Sequence, residues 1–128
     1  EILKKSIKSE SIKYILYALE EGASIKELSF FSLKKLLYLL NQNNEKDLLY
    51  DILDEYYENI YGRGDDVNTY FLFSCFYGYM KGVIKSINKY KIDILTNGLQ
   101  GFEFSIKYNN LEQFKHHIKA VLSFISQK

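Results

Sequence analysis

Apolar residues recur along this chain at helical rather than alternating spacing. In the stretch from Tyr70 to Asp93, Met80, Val83, Ile84 and Ile87 fall at the 3, 4 and 7 spacing of one helix face. The apolar, aromatic run Tyr70–Tyr77 precedes them, and Gly78 interrupts the two. This pattern predicts two short helices joined by a tight turn, with Gly78 where positive φ would penalise a side chain. A lone hairpin cannot bury its apolar face, so its packing partners are sought elsewhere in the chain.

The same pattern recurs. Taking Leu19, Ile52, Ile87 and Ile118 as the last strong apolar residue of each second helix gives steps of 33, 35 and 31 residues. Four residues before these anchors stand Ile15, Leu48, Val83 and Phe114; seven before stand Ile12, Glu45, Met80 and Leu111, with Glu45 breaking the column. The turn position holds Glu10, Asn43, Gly78 and Asn109, and Gly and Asn best tolerate left-handed geometry. First helices align through Leu3, Leu36, Phe71 and Phe102, then through Ile7, Leu40, Cys75 and Ile106. Ser6, Leu39, Ser74 and Ser105 lie between, mostly small enough for close helix approach.

The expected fold class is therefore all-α, a solenoid of about four helix–turn–helix repeats in one domain over residues 1–128. The repeats are placed at about 1–28, 29–63, 64–94 and 95–128. In chain order the helices are expected at Glu1–Lys8 and Ser9–Glu21, Phe30–Asn41 and Glu45–Tyr57, Thr69–Tyr77 and Tyr79–Lys89, then Leu99–Tyr108 and Asn110–Gln127. Gly22 would close the second helix, and Tyr61–Asn68, rich in Gly and Asp, reads as a loop. An irregular helical bundle would share this composition and differ in lacking the register.

Composition narrows the function classes. Lys and Arg total 17 against 16 Asp and Glu, and Arg63 is the one arginine, so no bulk charge or guanidinium cluster points to nucleic acid. The single cysteine, Cys75, excludes an internal disulfide, and its apolar surroundings favour a buried structural thiol over a nucleophile. No apolar run is long enough to cross a bilayer, and EILKKSIKSE is too charged for a signal sequence. A cytoplasmic protein without membrane or nucleic-acid partners is expected.

Two stretches carry a resemblance. IKYILYALEEGASI at the end of the first repeat, and DDVNTYFLFSCFYGY with Asp66, Asn68, Thr69, Leu72 and Gly78 in the third, resemble the ankyrin repeat. The match covers nearly all of the chain but is divergent, since Thr-Pro-Leu-His is intact nowhere and most contact alanines are replaced. The resemblance implies an ankyrin-like solenoid with its β-hairpin fingers reduced or absent, and a non-catalytic module that binds a partner protein through a concave surface. Positions on that surface would be Tyr38, Phe73 and Phe104, then Asn41, Phe76 and Lys107, then Gln42, Tyr77 and Tyr108. Phe73 and Phe104 serve equally well as core; the hydroxyls of Tyr77 and Tyr108 suit wetter places.

Other chemistry is weaker. Neighbouring His116 and His117 point about 100° apart on a helix and cannot chelate one ion between them. Asp47, Asp51, Asp54, Glu55 and Glu58 form an acidic helix strip that reads as a solvated face or an attraction for a basic partner. Arg63-Gly64-Asp65 reads as a turn rather than an adhesion motif, and the glycines beside it lack the lysine of a phosphate loop. No metal or cofactor is expected. The leading expectation is a protein-binding module; an immunity or inhibitor protein that occludes a toxin or enzyme is its sharper form. A small α-helical enzyme using the acidic residues or histidines, and a cap at the end of a longer repeat array, stand as the rivals.

Overall fold

The computed structural model describes residues 1–26, 28–60, 66–89, 92, 103, 106–107 and 111–126. Among the described residues the main elements are the helices α1 (Ile2–Lys8), α2 (Ile12–Glu20), α3 (Phe30–Gln42), α4 (Lys46–Ile60), α5 (Asp66–Phe76), α6 (Met80–Asn88) and α7 (Leu111–Ser126). No strand occurs among the described residues, and the protein is all-α. Two compact units divide it at 59/60: Glu1–Asn59 and Ile60–Lys128.

The helices are joined by one recurrent turn. At the end of α1 the Ser9 N–H donates to the Lys5 carbonyl (3.0 Å), Glu10 N–H to Ile7 (3.0 Å) and Ser11 N–H to Ser6 (3.1 Å). The end of α3 repeats the pattern with Asn43 to Leu39, Asn44 to Asn41 and Glu45 to Leu40, and the end of α5 with Tyr77 to Phe73, Gly78 to Cys75 and Tyr79 to Ser74. These are Schellman closures, which satisfy carbonyls left open at a helix end and require a left-handed residue in the middle. That residue is Glu10 (φ 56°), Asn44 (φ 58°) and Gly78 (φ 72°). The residue after it also starts the next helix: the carbonyls of Ser11, Glu45 and Tyr79 accept from Ile15, Leu49 and Val83.

Thirty-four residues separate Glu10 from Asn44 and Asn44 from Gly78, and the same interval separates the starts of α2, α4 and α6. The steps of 33 and 35 read from apolar anchors are thus corrected to two equal steps. Asn44, not Asn43, holds the left-handed position, and Leu53, not Ile52, is the partner of Leu19 and Ile87. Glu45 is no broken core position, because it begins a helix as Ser11 and Tyr79 do. In this register Leu3, Leu37 and Phe71 are all buried, as are Ser6, Leu40 and Ser74 on the same helices. On the second helices Ile15, Leu49 and Val83 are buried, with Ala18, Ile52 and Ser86 one turn later.

In the first unit α1 packs on both α2 and α3. Gly22 (φ 95°) closes α2 with the same three hydrogen bonds, from Glu21, Gly22 and Ala23 to Tyr17, Leu19 and Ala18. The connector then turns Ile25 into the core before Ser29 caps α3, its hydroxyl accepting from the Ser32 N–H at 3.1 Å.

In the second unit α5 packs on α6, and α6 on α7. Phe71, Cys75, Val83 and Ile92 form the core cluster, with Leu72, Met80 and Ile87 against it. The α5–α6 approach is close because Gly82 faces Ser74: a Cβ on Gly82 would collide with the Ser74 hydroxyl and stand 2.8 Å from the Tyr79 ring. α5 starts at Asp66, so part of the expected loop Tyr61–Asn68 is helical. Acidic residues at a helix start complement its dipole, which the loop reading of Asp65-Asp66 overlooked. The expected helix Leu99–Tyr108, its turn at Asn109 and Arg63-Gly64-Asp65 lie outside the described residues, apart from residues 103, 106 and 107.

Candidate functional site

The positions expected to meet a partner lie at the ends of first helices, on α3 in the first unit and on α5 in the second. On α3, Tyr38 is 52% exposed. One turn on, Gln42 donates through Nε2 to the Tyr38 hydroxyl at 2.8 Å, which holds the ring along the helix surface. Asn41 is half-buried and Gln42 exposed. The neighbouring Asn43 donates its side-chain amide to the Leu39 carbonyl at 2.8 Å, closing the helix end.

On α5 the rings are packed together. Phe76 is 39% exposed and meets the edge of Tyr77, with centroids 4.9 Å apart and planes at 76°. Phe73 is half-buried, 6.4 Å from the Tyr77 ring. Tyr77 itself is buried, although its hydroxyl led to the expectation of a wetter place. The reason is its position in the closure, where its N–H is tied back to Phe73 and its ring folds onto the α5 end. Lys107 is exposed, while Phe104 and Tyr108 lie outside the described residues.

The equal steps also regroup these positions. Phe76 corresponds to Gln42, Tyr77 to Asn43 and Phe73 to the buried Leu39, whereas Tyr38 aligns with Leu72 and Asn41 with Cys75. Among the described residues of this set, Tyr38 and Phe76 are the aromatic side chains that stand exposed.

Exposed rings that pattern reading passed over lie elsewhere in the first unit. Tyr14 and Tyr17 project from α2, and Phe30 and Phe31 from the start of α3. Lys34 Nζ lies 5.6 Å from the Phe30 ring centroid, at cation–π range. The two tyrosines were readable as outward-facing, since they precede the buried Ile15 and Ala18 by one position each and so fall out of phase with the core.

Reactive groups are few in the described part. Burial holds the Cys75 thiol far above its ordinary range, which keeps it protonated and unreactive. Asp47, Asp51 and Glu55 lie exposed along α4, with Asp54 half-buried beside them. Tyr50 is raised by burial first and by the Asp47 charge second, while burial lowers Lys46. No group of three or more His, Cys, Asp or Glu among the described residues is placed to hold a metal ion. His116 and His117 lie in α7. No helix among the described residues is long and apolar enough to cross a membrane. No family model matches the chain, and neither a curated protein nor a solved structure matches it.

Proposed function

We propose that this protein is an ankyrin-like helical-repeat module that binds another protein through the ends of its first helices and the turns that follow them. The observation that carries the reading is the threefold recurrence of one Schellman turn at 34-residue steps. A periodic backbone of this kind presents corresponding positions repeatedly, and recognition then resides in what side chains are placed there. Tyr38 with Gln42, and Phe76 with Tyr77, supply aromatic surface of the sort that dominates protein interfaces. Binding requires no catalytic group, and occlusion of the partner's surface is the mechanism. The exposed carboxylates Asp47, Asp51 and Glu55 favour a partner with a basic face, the form an inhibitor of a basic enzyme or toxin would take.

The test is capture of a partner by the wild-type chain and by Tyr38→Ala/Phe76→Ala, followed by reconstitution with the purified partner. Both side chains are exposed, so the variant should retain its helical circular dichroism. The proposal expects a stoichiometric complex weakened at least about tenfold by the double substitution. Equal affinity for both would remove this surface from the account.

A further inference from the structure

The equal step sets two columns of opposite charge in register. Asp47, Asp51 and Glu55 stand four residues apart along α4, and Lys81, Lys85 and Lys89 hold the positions 34 residues later at α6. A spacing of four keeps each trio on one helix face, with about 6 Å between successive charges along the axis. The three carboxylates are exposed, as are Lys81 and Lys89, and Lys85 is half-buried. The buried side of each helix lies off these columns, with Leu49, Ile52 and Leu53 on α4 and Gly82, Val83 and Ser86 on α6. Among the described residues Asp47, Asp51, Lys81 and Lys85 form no ion pair. The repeat does not impose a single sign, since the same positions of the first hairpin hold Lys13, Tyr17 and Glu21.

The whole units divide their charge in the same sense. Glu1–Asn59 carries 8 Lys against 11 Asp and Glu, and Ile60–Lys128 carries 9 Lys and Arg against 5 Asp and Glu, so net charges of −3 and +4 lie within the total of +1. Like units of two copies repel and unlike units attract. We propose that α4 of one copy docks along α6 of a second copy, with Asp51 against Lys85 at the centre, and that a twofold axis repeats the contact with the roles exchanged. Because the two columns share one spacing, all three charges find a partner whichever way the helices run. Exposed ion pairs are weak singly and screened by salt, so the dimer is one of low affinity that forms at high concentration and low ionic strength. The contact uses neither Tyr38 nor Phe76, so it stands apart from the partner-binding surface, although a basic partner would compete with the second copy for the same carboxylates.

Sedimentation of the purified chain alone tests the contact. At roughly 1 mM protein and about 50 mM salt the wild type is expected to populate a dimer, and about 0.5 M salt should dissolve it as the screening length shrinks. Asp51→Lys and Lys85→Glu each place like charges at the centre of both contacts and should weaken the dimer at least about tenfold. Both changes are at outward-facing positions, so helical circular dichroism should stay that of the wild type. The double variant Asp51→Lys/Lys85→Glu keeps the net charge of +1 and re-pairs the centre, so it should regain the wild-type association. An equimolar mixture of the two single variants should do the same, through a mixed dimer. A wild type that stays monomeric at low salt overturns the proposal, as does a dimer indifferent to salt or to either reversal. So does a double variant or a mixture that stays dissociated.

Discussion

The first and third hairpins share a backbone turn and differ in almost every side chain that packs on it. In α1–α2 the left-handed residue is Glu10 and in α5–α6 it is Gly78, with the same three hydrogen bonds around each. Ser6 and Ser74 are equivalent and both buried, but the Ser6 hydroxyl donates to the Ile2 carbonyl at 2.9 Å while Ser74 Oγ finds no partner among the described residues. Tyr14 is exposed where Gly82 is shut against Ser74 and Tyr79. Backbone closure thus sets the repeat, and the contents of the helix–helix seam are free to change around it.

The sharpest break in the comparison is expected at the seam. Gly82→Ala should destabilise the chain by about 1–3 kcal/mol in urea titrations, because the added methyl overlaps the Ser74 hydroxyl and crowds the Tyr79 ring. Adding Ser74→Gly should recover part of that loss, a coupling that a double-mutant cycle reads directly. Tyr14→Ala, at the equivalent place in the first hairpin, should change stability by less than about 0.5 kcal/mol.

The turns come next. Gly78→Ala should cost about 1 kcal/mol, since an L side chain is disfavoured at positive φ, and Glu10→Gly should gain a similar or smaller amount. At the serines the signs should oppose each other: Ser6→Ala loses a hydrogen bond and about 0.5–1 kcal/mol, whereas Ser74→Ala removes a buried hydroxyl that has no partner among the described residues and should be neutral or stabilising.

A smaller contrast lies in alkaline solution. Burial raises the Cys75 thiol in the folded state, so the neutral form is favoured there, and the corresponding stability is fully present below the unfolded thiol pKa. As pH rises above about 8.5 the unfolded thiol ionises first and stability falls. Tyr50, also raised, adds a decline of the same sign at higher pH. Cys75→Ala should flatten the earlier part of that decline.

Much of this was legible from residue order. The hairpin around Gly78, the closing glycine Gly22 and the buried character of Cys75 follow from apolar spacing and the properties of glycine, and the structure has all three. The register was legible only to within one residue, for a definite reason. The second repeat is written in doublets, Leu36-Leu37, Leu39-Leu40, Asn43-Asn44, Leu48-Leu49 and Ile52-Leu53, so a one-residue slip exchanges like for like. The apolar pattern cannot resolve such a slip; the hydrogen bonds of the turn can. That slip also misgrouped Tyr38 with Phe73 and Asn41 with Phe76. Tyr77 was misjudged separately: a phenol in a helix closure is placed by its backbone bonds, which spacing does not display.

The central claim is the equal 34-residue step, and Asn43 and Asn44 decide it. Asn44 sits at φ 58° and Asn43 at φ −101°, where its side chain donates to the Leu39 carbonyl. Comparing the urea midpoints of Asn43→Gly and Asn44→Gly tests it most directly. The account predicts that Asn44→Gly is neutral or stabilising by up to about 1 kcal/mol, while Asn43→Gly costs about 1 kcal/mol through the lost hydrogen bond and a freer unfolded chain. The reverse order would put the left-handed residue at Asn43 and contradict the equal step.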